Sequence, residues 1–170
     1  MDPKTSPNAS RNASQNAGGS TPEATPAEMI KSSFAALEPR APEVVDRFYD
    51  RLFTAAPGVR PLFPEDMSGQ KKHLLGAIGL VVKNADRLET LREPLEQMGE
   101  RHVGYGAKAE HYPVVRDTLL ATLAEFAGPL WTSAMAGAWA GAINGVTGYM
   151  LEGAGQNAGE PEAGTKRRAA

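Results

Sequence analysis

Prolines divide the central part of this sequence into short segments, and each segment repeats its apolar residues at helical spacing. Proline is tolerated in the first turn of a helix and breaks a helix interior, so prolines mark helix starts and stops. Between them, large apolar residues recur every three or four positions, and strand-like alternation is nowhere sustained. The sequence therefore predicts an all-α fold. The prolines that delimit the segments are Pro39, Pro42, Pro57, Pro61, Pro64, Pro94, Pro113 and Pro129.

The first predicted helix has the clearest start. Thr25-Pro26-Ala27-Glu28 reads as a capping box, with Thr25 as N-cap, Pro26 in the first helical position and Glu28 reaching back. Further helices are expected from Pro42, from about Ser68, from Pro94, over Tyr112–Phe126 and over Thr132–Glu152.

The two ends of the chain are predicted to be disordered. Residues 1–26 and 155–170 are rich in Ser, Asn, Gly, Ala and Pro, and they hold almost no large apolar side chain. Such segments cannot bury enough surface to offset their chain entropy. A folded domain is therefore expected over residues 27–154.

Composition excludes several classes of function. With 18 basic and 20 acidic residues the formal net charge is −2, which gives no electrostatic reason to bind nucleic acid. The absence of cysteine excludes disulfides, iron–sulfur clusters and thiol catalysis. No apolar signal segment is present, so a cytoplasmic protein is expected.

The last helix raises the question of a membrane span. No charge lies between Glu125 and Glu152, and Gly137, Gly141 and Gly145 repeat every four residues as in transmembrane helix pairs. The stretch is only modestly hydrophobic, however, and no Lys or Arg flanks it. A buried helix of a water-soluble protein is preferred, without membrane association.

Three polar side chains fall on apolar helix faces. His102 follows Leu91, Leu95 and Met98 at helical spacing, and Gln70 and Tyr49 lie on two other apolar stripes. A buried polar group is costly without a partner, so three of them suggest a shared polar object in the core. A metal-bearing prosthetic group with one imidazole ligand fits. Zinc needs three or four protein ligands, whereas haem supplies four nitrogens itself.

Four stretches resemble the bacterial globin family that includes single-domain haemoglobins and the globin half of flavohaemoglobins. The resemblance covers nearly all of 27–154, and its most specific part is RHVGYG followed by HYP. It implies a globin fold with about six to seven helices around a haem pocket. The stretches are FYDRLFTAAPGVRPLF (48–63), MSGQKKHLLGAIGLVV (67–82), MGERHVGYGAKAEHYPVVRDTLLATL (98–123) and AWAGAINGVTGYMLEGA (138–154).

The resemblance also implies roles for individual residues. His102 matches the proximal histidine that ligates the iron of haem b, and Phe63 matches the phenylalanine packed on the porphyrin. Tyr49 and Gln70 match the distal pair that donates hydrogen bonds to bound ligand, and Leu74 matches the apolar residue beside it.

The remaining matches lie near the porphyrin edges. Tyr112 matches a tyrosine on the proximal side, where it would help to orient the ring of His102, although plain core packing is an alternative. His73, together with Lys72, lies where a side chain could reach a propionate, with simple solvent exposure as the alternative. His111 is expected at the surface.

The sequence departs from flavohaemoglobins at the proximal side. Those proteins carry a late glutamate that pairs with the proximal tyrosine, and the matching position here is Ala154. Glu152 is two residues away, about 200° around a helix. The pattern of flavohaemoglobins also includes a flavin domain, which is not expected within this sequence.

The sequence therefore predicts a globin that reversibly binds dioxygen, and also nitric oxide, at an iron ligated by His102. One alternative is a nitric oxide dioxygenase served by an external reductase, which would use the same pocket. Another is a globin-like interaction or sensor module without haem. The oligomeric state is left open.

Overall fold

The computed structural model describes residues 23–157, and the predicted all-α fold is confirmed there. Six α-helices are joined by short connections, and no strand occurs within this range. The helices are α1 Pro26–Leu37, α2 Ala41–Ala55, α3 Ser68–Lys83, α4 Arg92–Gly104, α5 His111–Ala127 and α6 Ser133–Asn157. Short 3₁₀ turns cover Glu38–Arg40, Pro57–Leu62, Leu88–Leu91 and Gly128–Leu130.

The start of α1 has the capping box that the sequence predicts. The backbone N–H of Glu28 donates to the hydroxyl of Thr25 at 3.2 Å, and the Glu28 carboxylate accepts from the Thr25 N–H at 2.7 Å. Both bonds satisfy donors that a helix start leaves without intrahelical partners.

Several helix boundaries differ from those expected, two of them by more than one residue. Helix α4 begins at Arg92 rather than at Pro94, because the preceding 3₁₀ turn leads directly into it and proline is tolerated within a first turn. Helix α6 continues to Asn157, so residues 155–157 are helical although the sequence placed them in the tail. Pro26, which the sequence placed in the leading segment, is the first residue of α1, and residues 23–25 have no regular secondary structure. The other residues predicted to be disordered, 1–22 and 158–170, lie outside the described residues.

The larger hydrophobic cluster joins all helices except α4. Its most buried side chains include Trp139, Ile30, Leu52 and Leu123. The indole Nε1 of Trp139 donates to the hydroxyl of Ser33 at 2.9 Å, which satisfies the one polar atom of the tryptophan inside the core. This bond ties α6 to α1.

A smaller cluster lies where α4 meets α6. It is built from Leu91, Leu95 and Met150, with Met98 and Tyr112 packed against it. Helix α4 packs chiefly on α6, whereas α3 packs on α1 and α2, and α3 and α4 do not pack closely on each other. Helix α3, which carries Gln70, and helix α4, which carries His102, thus belong to different clusters, and the core is divided between them.

No helix within residues 23–157 combines the length and apolar character needed to cross a bilayer. The glycine repeat of α6 also fails to mediate close approach to another helix. A Cβ added at Gly137 or Gly141 would meet no other atom within 4 Å, and one at Gly145 would make an ordinary 3.7 Å contact with Leu88.

Candidate functional site

Tyr49 and Gln70 meet, as a shared distal pocket requires. Tyr49 lies in the middle of α2 and is only 4% exposed, while Gln70 lies in the first turn of α3 and is half-buried. The amide Nε2 of Gln70 donates to the Tyr49 hydroxyl oxygen at 3.2 Å. Because the hydroxyl accepts this bond, its own hydrogen stays free to be donated to another group.

Burial keeps the Tyr49 hydroxyl protonated. Desolvation raises the pKa of Tyr49 above its usual value of 10.0, and the bond from Gln70 opposes this shift only in part. At neutral pH the phenol is therefore a neutral donor. That is the form needed to donate a hydrogen bond to an electron-rich ligand.

Three phenylalanines surround the Tyr49 ring. Phe48 lies 5.0 Å from it, Phe53 5.8 Å and Phe63 5.7 Å, centroid to centroid, and Phe53 and Phe63 are themselves 5.3 Å apart. Edge-on and tilted aromatic contacts at these distances are favourable beyond simple area burial. The cluster holds the phenol in an apolar setting and places Phe63 beside Tyr49.

Arg60 orders the connection that carries Phe63, and sequence reasoning did not identify it. Its guanidinium donates to the carbonyl oxygens of Phe63 and Pro64, each at 3.1 Å, and lies 5.1 Å from the Phe53 ring centroid. With a longer bond to the Glu65 carbonyl oxygen at 3.4 Å, three hydrogen bonds and a cation–π contact from one side chain restrain a non-helical segment. The sequence signal for this role was one basic residue in a proline-flanked turn, and that pattern is too common to be specific.

His102 is tethered through one ring nitrogen. It lies in the last turn of α4, half-buried, and its Nδ1 is 2.8 Å from the carbonyl oxygen of Met98. A carbonyl only accepts, so Nδ1 carries the hydrogen of this bond, and Nε2 is the ring nitrogen left for a metal. No described residue donates a hydrogen bond to Nε2. A neutral imidazole oriented in this way is the form that ligates a metal.

Aromatic and apolar side chains beside His102 remain open to solvent. The Tyr105 ring lies edge-on to the imidazole at 5.9 Å and is 62% exposed, and Val103 is 48% exposed. Leu74 on α3 and Met98 on α4 are half-buried. Apolar surface is therefore left partly uncovered beside the imidazole.

Tyr112 lies near the proximal region but makes no hydrogen bond to His102. It packs against the smaller cluster at the start of α5, and burial raises its pKa above 10.0. The bond that orients the His102 ring comes from Met98 instead, one turn earlier on the same helix. No hydrogen bond to the Tyr112 hydroxyl occurs within the described residues.

The carboxylate nearest to the flavohaemoglobin glutamate position is engaged elsewhere. Glu152 is 48% exposed and pairs with the Arg92 guanidinium, which also bonds Glu96 at 2.9 Å. Ala154, at the matching position itself, carries no charge. The proximal side therefore lacks the tyrosine–glutamate pair that the resemblance describes.

The remaining candidates are peripheral. His73 and Lys72 are exposed on α3, and neither forms an ion pair among the described residues. His111, expected at the surface, is half-buried at the start of α5, where its Nδ1 accepts from the Lys108 N–H at 3.2 Å.

A groove of about 740 Å³ lies away from all of these residues. It runs between α1 and α6, and its lining includes Met29, Ile30, Leu88 and Gly141. None of the residues predicted for the site contributes to it.

The donor set fits haem better than a protein-ligated metal. Residues 23–157 contain no group of three or more His, Asp or Glu side chains that could hold a metal ion. Haem needs only one axial imidazole from the protein, together with apolar walls for its ring. The tethered His102, the divided core and the Tyr49–Gln70 pair meet those needs.

Family comparison agrees with the geometry. The family model described as Globin matches residues 46–150, a span that includes Tyr49, Phe63, Gln70, His102 and Tyr112. The chain belongs to the globin family.

Three relatives illustrate the match. The flavohemoprotein of Bacillus subtilis is 31% identical over 144 residues, which are 78% of this chain and 36% of that protein. An uncharacterised globin-like protein of Aquifex aeolicus is 34% identical over 101 residues, 59% of this chain and 73% of that one. The structure of a bacterial globin from Campylobacter jejuni superposes with a TM-score of 0.70 at 26% identity, over 79% of this chain and 98% of that one.

The globin fold, with six α-helices in residues 23–157, is thereby confirmed. The match to flavohemoproteins is confined to their globin part, since it spans about a quarter to a third of their length. Globin membership implies haem binding and the binding of small gaseous ligands.

Proposed function

We propose that this globin binds haem b through His102 and uses it to bind dioxygen reversibly, and nitric oxide as well. The observation that carries the proposal is the tethered imidazole. Its Nδ1 is occupied by the Met98 carbonyl at 2.8 Å, and its Nε2 is left as the ligand atom. The helix backbone thus determines both the tautomer and the ring orientation.

Composition excludes covalently attached haem. Covalent attachment of c-type haem uses cysteine thiols, and this sequence contains no cysteine. A noncovalent haem b, held by the axial bond and apolar contacts, is therefore the form proposed. When bound, it supplies a redox-active iron to which dioxygen and nitric oxide can attach.

Tyr49 and Gln70 supply the polar contacts of the distal pocket. The phenol hydrogen is free because the hydroxyl oxygen accepts from Gln70, so Tyr49 can donate to a diatomic ligand while Gln70 holds the hydroxyl in place. Such a bond in a pocket of low polarity contributes about 1–3 kcal/mol to ligand retention. Leu74 and Phe63 would limit the entry of water.

An absorption spectrum tests this proposal directly. The purified protein would be measured oxidised, reduced, and reduced with oxygen, beside His102→Ala and the control His111→Ala. We expect a Soret band that shifts with oxygen in the wild type and in the control, and a disturbed band in His102→Ala. A wild type without a Soret band, even after hemin is added, would refute the proposal and favour a haem-free interaction or sensor module.

A second candidate, nitric oxide dioxygenation, is favoured by the similarity to flavohemoproteins. The reaction combines one nitric oxide, one dioxygen and one electron into one nitrate ion, so each turnover needs an electron donor. We propose a separate reductase as that partner, and a cytoplasmic location for both proteins. Within the described residues Tyr112 makes no hydrogen bond to a carboxylate, and Glu152 pairs with Arg92, which argues for the reversible carrier as the first choice.

Nitrate production separates the two candidates. The reduced protein would be mixed with dioxygen and nitric oxide, with a flavin reductase and its nicotinamide donor present. Sustained nitrate formation over many turnovers would support the dioxygenase. A single stoichiometric oxidation without turnover would leave the carrier.

A further inference from the structure

The backbones of α4 and α6 touch at two glycines. A Cβ added at Gly99 would lie 1.8 Å from the carbonyl oxygen of Met150, and one added at Gly153 would lie 2.0 Å from the carbonyl oxygen of Glu96. Both obstacles are main-chain atoms, which cannot rotate away as the end of a flexible side chain can. Each helix thus provides one glycine against which the backbone of the other helix packs.

No other helical glycine in the described residues has such a contact. At Gly76, Gly79, Gly137, Gly141 and Gly148 an added Cβ would meet nothing within 4 Å. The close approach at Gly99 and Gly153 is therefore a specific feature of one helix pair. Cα–H groups facing carbonyl oxygens at such crossings are weakly attractive.

Helix α4 depends on α6 for its placement. Its strongest packing is on α6, where Leu95 meets Met150 in the smaller cluster, and Arg92 adds an ion pair to Glu152 across the same interface. On its other side α4 does not pack closely on α3. The α4–α6 contact is thus the main support for the helix that carries His102.

The point where α4 and α6 touch is adjacent to His102, the proposed axial ligand. Gly99 follows Met98, whose carbonyl holds the His102 ring, and it precedes His102 by three residues, less than one helical turn. A displacement of the α4 backbone at Gly99 therefore moves the carbonyl and the imidazole together.

We propose that Gly99 and Gly153 are positioning residues for the axial ligand, because their lack of a side chain sets the distance between α4 and α6 and hence the position of His102. This inference rests on the proposed function, since it concerns the imidazole as a haem ligand. Ordinary contact begins at 3.4 Å, so a methyl at Gly99 must push the backbones apart by more than 1 Å. Geometry in a site built on rigid elements degrades with shifts of that size.

Alanine substitutions test the proposal. Gly99→Ala and Gly153→Ala would be compared with Gly148→Ala, a control on α6 where the methyl meets open space. We expect a shifted iron–histidine stretching frequency in resonance Raman spectra of both variants. Haem transfer to an acceptor apoprotein should be about ten- to a hundredfold faster, because the free-energy cost of overpacking a core corresponds to changes of that size. Gly148→Ala should match the wild type in both.

Hydrogen exchange on the wild type tests the same contact without a substitution. Amides of α4 around Gly99 and of α6 around Met150 should open with the same equilibrium constant in the haem-free protein, because neither backbone can separate alone. Independent opening of α4, with exchange many times faster than in α6, would overturn the inference.

The outcomes distinguish this inference from the proposed function. A wild type that takes up haem, with unchanged Raman frequency and haem transfer in both variants, refutes the positioning role alone. A wild type that takes up no haem refutes the proposed function. The exchange measurement then still decides whether the two glycines couple α4 to α6.

Discussion

At the residue scale, the Tyr49 hydroxyl is the polar group on which the distal side depends. Tyr49 is 4% exposed and its ring is surrounded by aromatic rings, and among the described residues the hydroxyl is bonded by Gln70 at 3.2 Å. An isolated polar atom in such a place would cost free energy. The pairing removes that cost and leaves one hydrogen for a ligand.

Tyr49→Phe is therefore expected to accelerate dioxygen dissociation. The loss of a donor worth about 1–3 kcal/mol corresponds to a rise of about five- to 150-fold in the dissociation rate. Laser flash photolysis or stopped-flow measurement on the haem-loaded protein would record it. Tyr112→Phe is the matched control, because that hydroxyl makes no hydrogen bond within residues 23–157, and its dissociation rate should stay near the wild-type value. Equal rates in all three proteins would contradict the assignment.

At the scale of elements, each helix is positioned by contacts of a different kind. The start of α1 is defined locally by Thr25 and Glu28, the segment before α3 by the bonds of Arg60, and α4 by its backbone contact with α6. The first two contacts join residues three or four positions apart in sequence, whereas the contact between α4 and α6 joins residues that are distant in sequence.

Thr25→Ala should weaken α1 measurably. It removes the acceptor for the Glu28 N–H and half of the capping box, and N-cap losses of this kind cost about 1 kcal/mol in the free energy of unfolding. Urea denaturation of the haem-free protein would measure the change. Ser32→Ala, in the same helix and equally exposed, should have little effect because its hydroxyl bonds only a carbonyl within the helix. Equal stability of the two variants would show that the cap is not stabilising.

For the whole molecule, stability is expected to fall at both ends of the pH range. Backbone N–H groups hold the pKa of Glu28 below its usual 4.5 and that of Asp66 below its usual 3.8. The stabilisation from these carboxylates is complete above their usual pKa values and is lost as pH falls through the lowered ones. Burial raises the pKa of Tyr49 and Tyr112 above 10.0, so their contribution is lost as pH rises beyond that value.

Urea midpoints of the haem-free protein across pH would test this expectation. Glu28→Gln should reduce the fall of the urea midpoint at acid pH, and Tyr49→Phe should reduce its fall at alkaline pH. Glu38→Gln, which removes a carboxylate without a hydrogen bond in the described structure, should leave the acid side unchanged. A wild-type profile that is flat below pH 4.5 would contradict the role given to the carboxylates.

Much of the fold and part of the site could be predicted from sequence because their causes are local. Proline positions and apolar periodicity predict six helices, and Thr25 and Glu28 lie three residues apart on one turn. The spacing of His102 from Leu95 and Met98 placed it on the inner face of α4. The roles of Tyr49 and Gln70 came from the family resemblance and remain predictions, although the two side chains do meet.

Only the tertiary structure decided which distant residues touch. Tyr49 and Gln70 are 21 residues apart, and their bond depends on how α2 meets α3. Gly99 and Gly153 are unremarkable in the sequence, whereas the more conspicuous Gly137 and Gly141 make no close contact. Counting along the sequence showed that Glu152 lies two residues before Ala154. It could not show that Glu152 forms an ion pair with Arg92. Local patterns determine which elements form, because helix bonds and caps join near neighbours. Contacts between elements depend on crossing positions that no local pattern encodes.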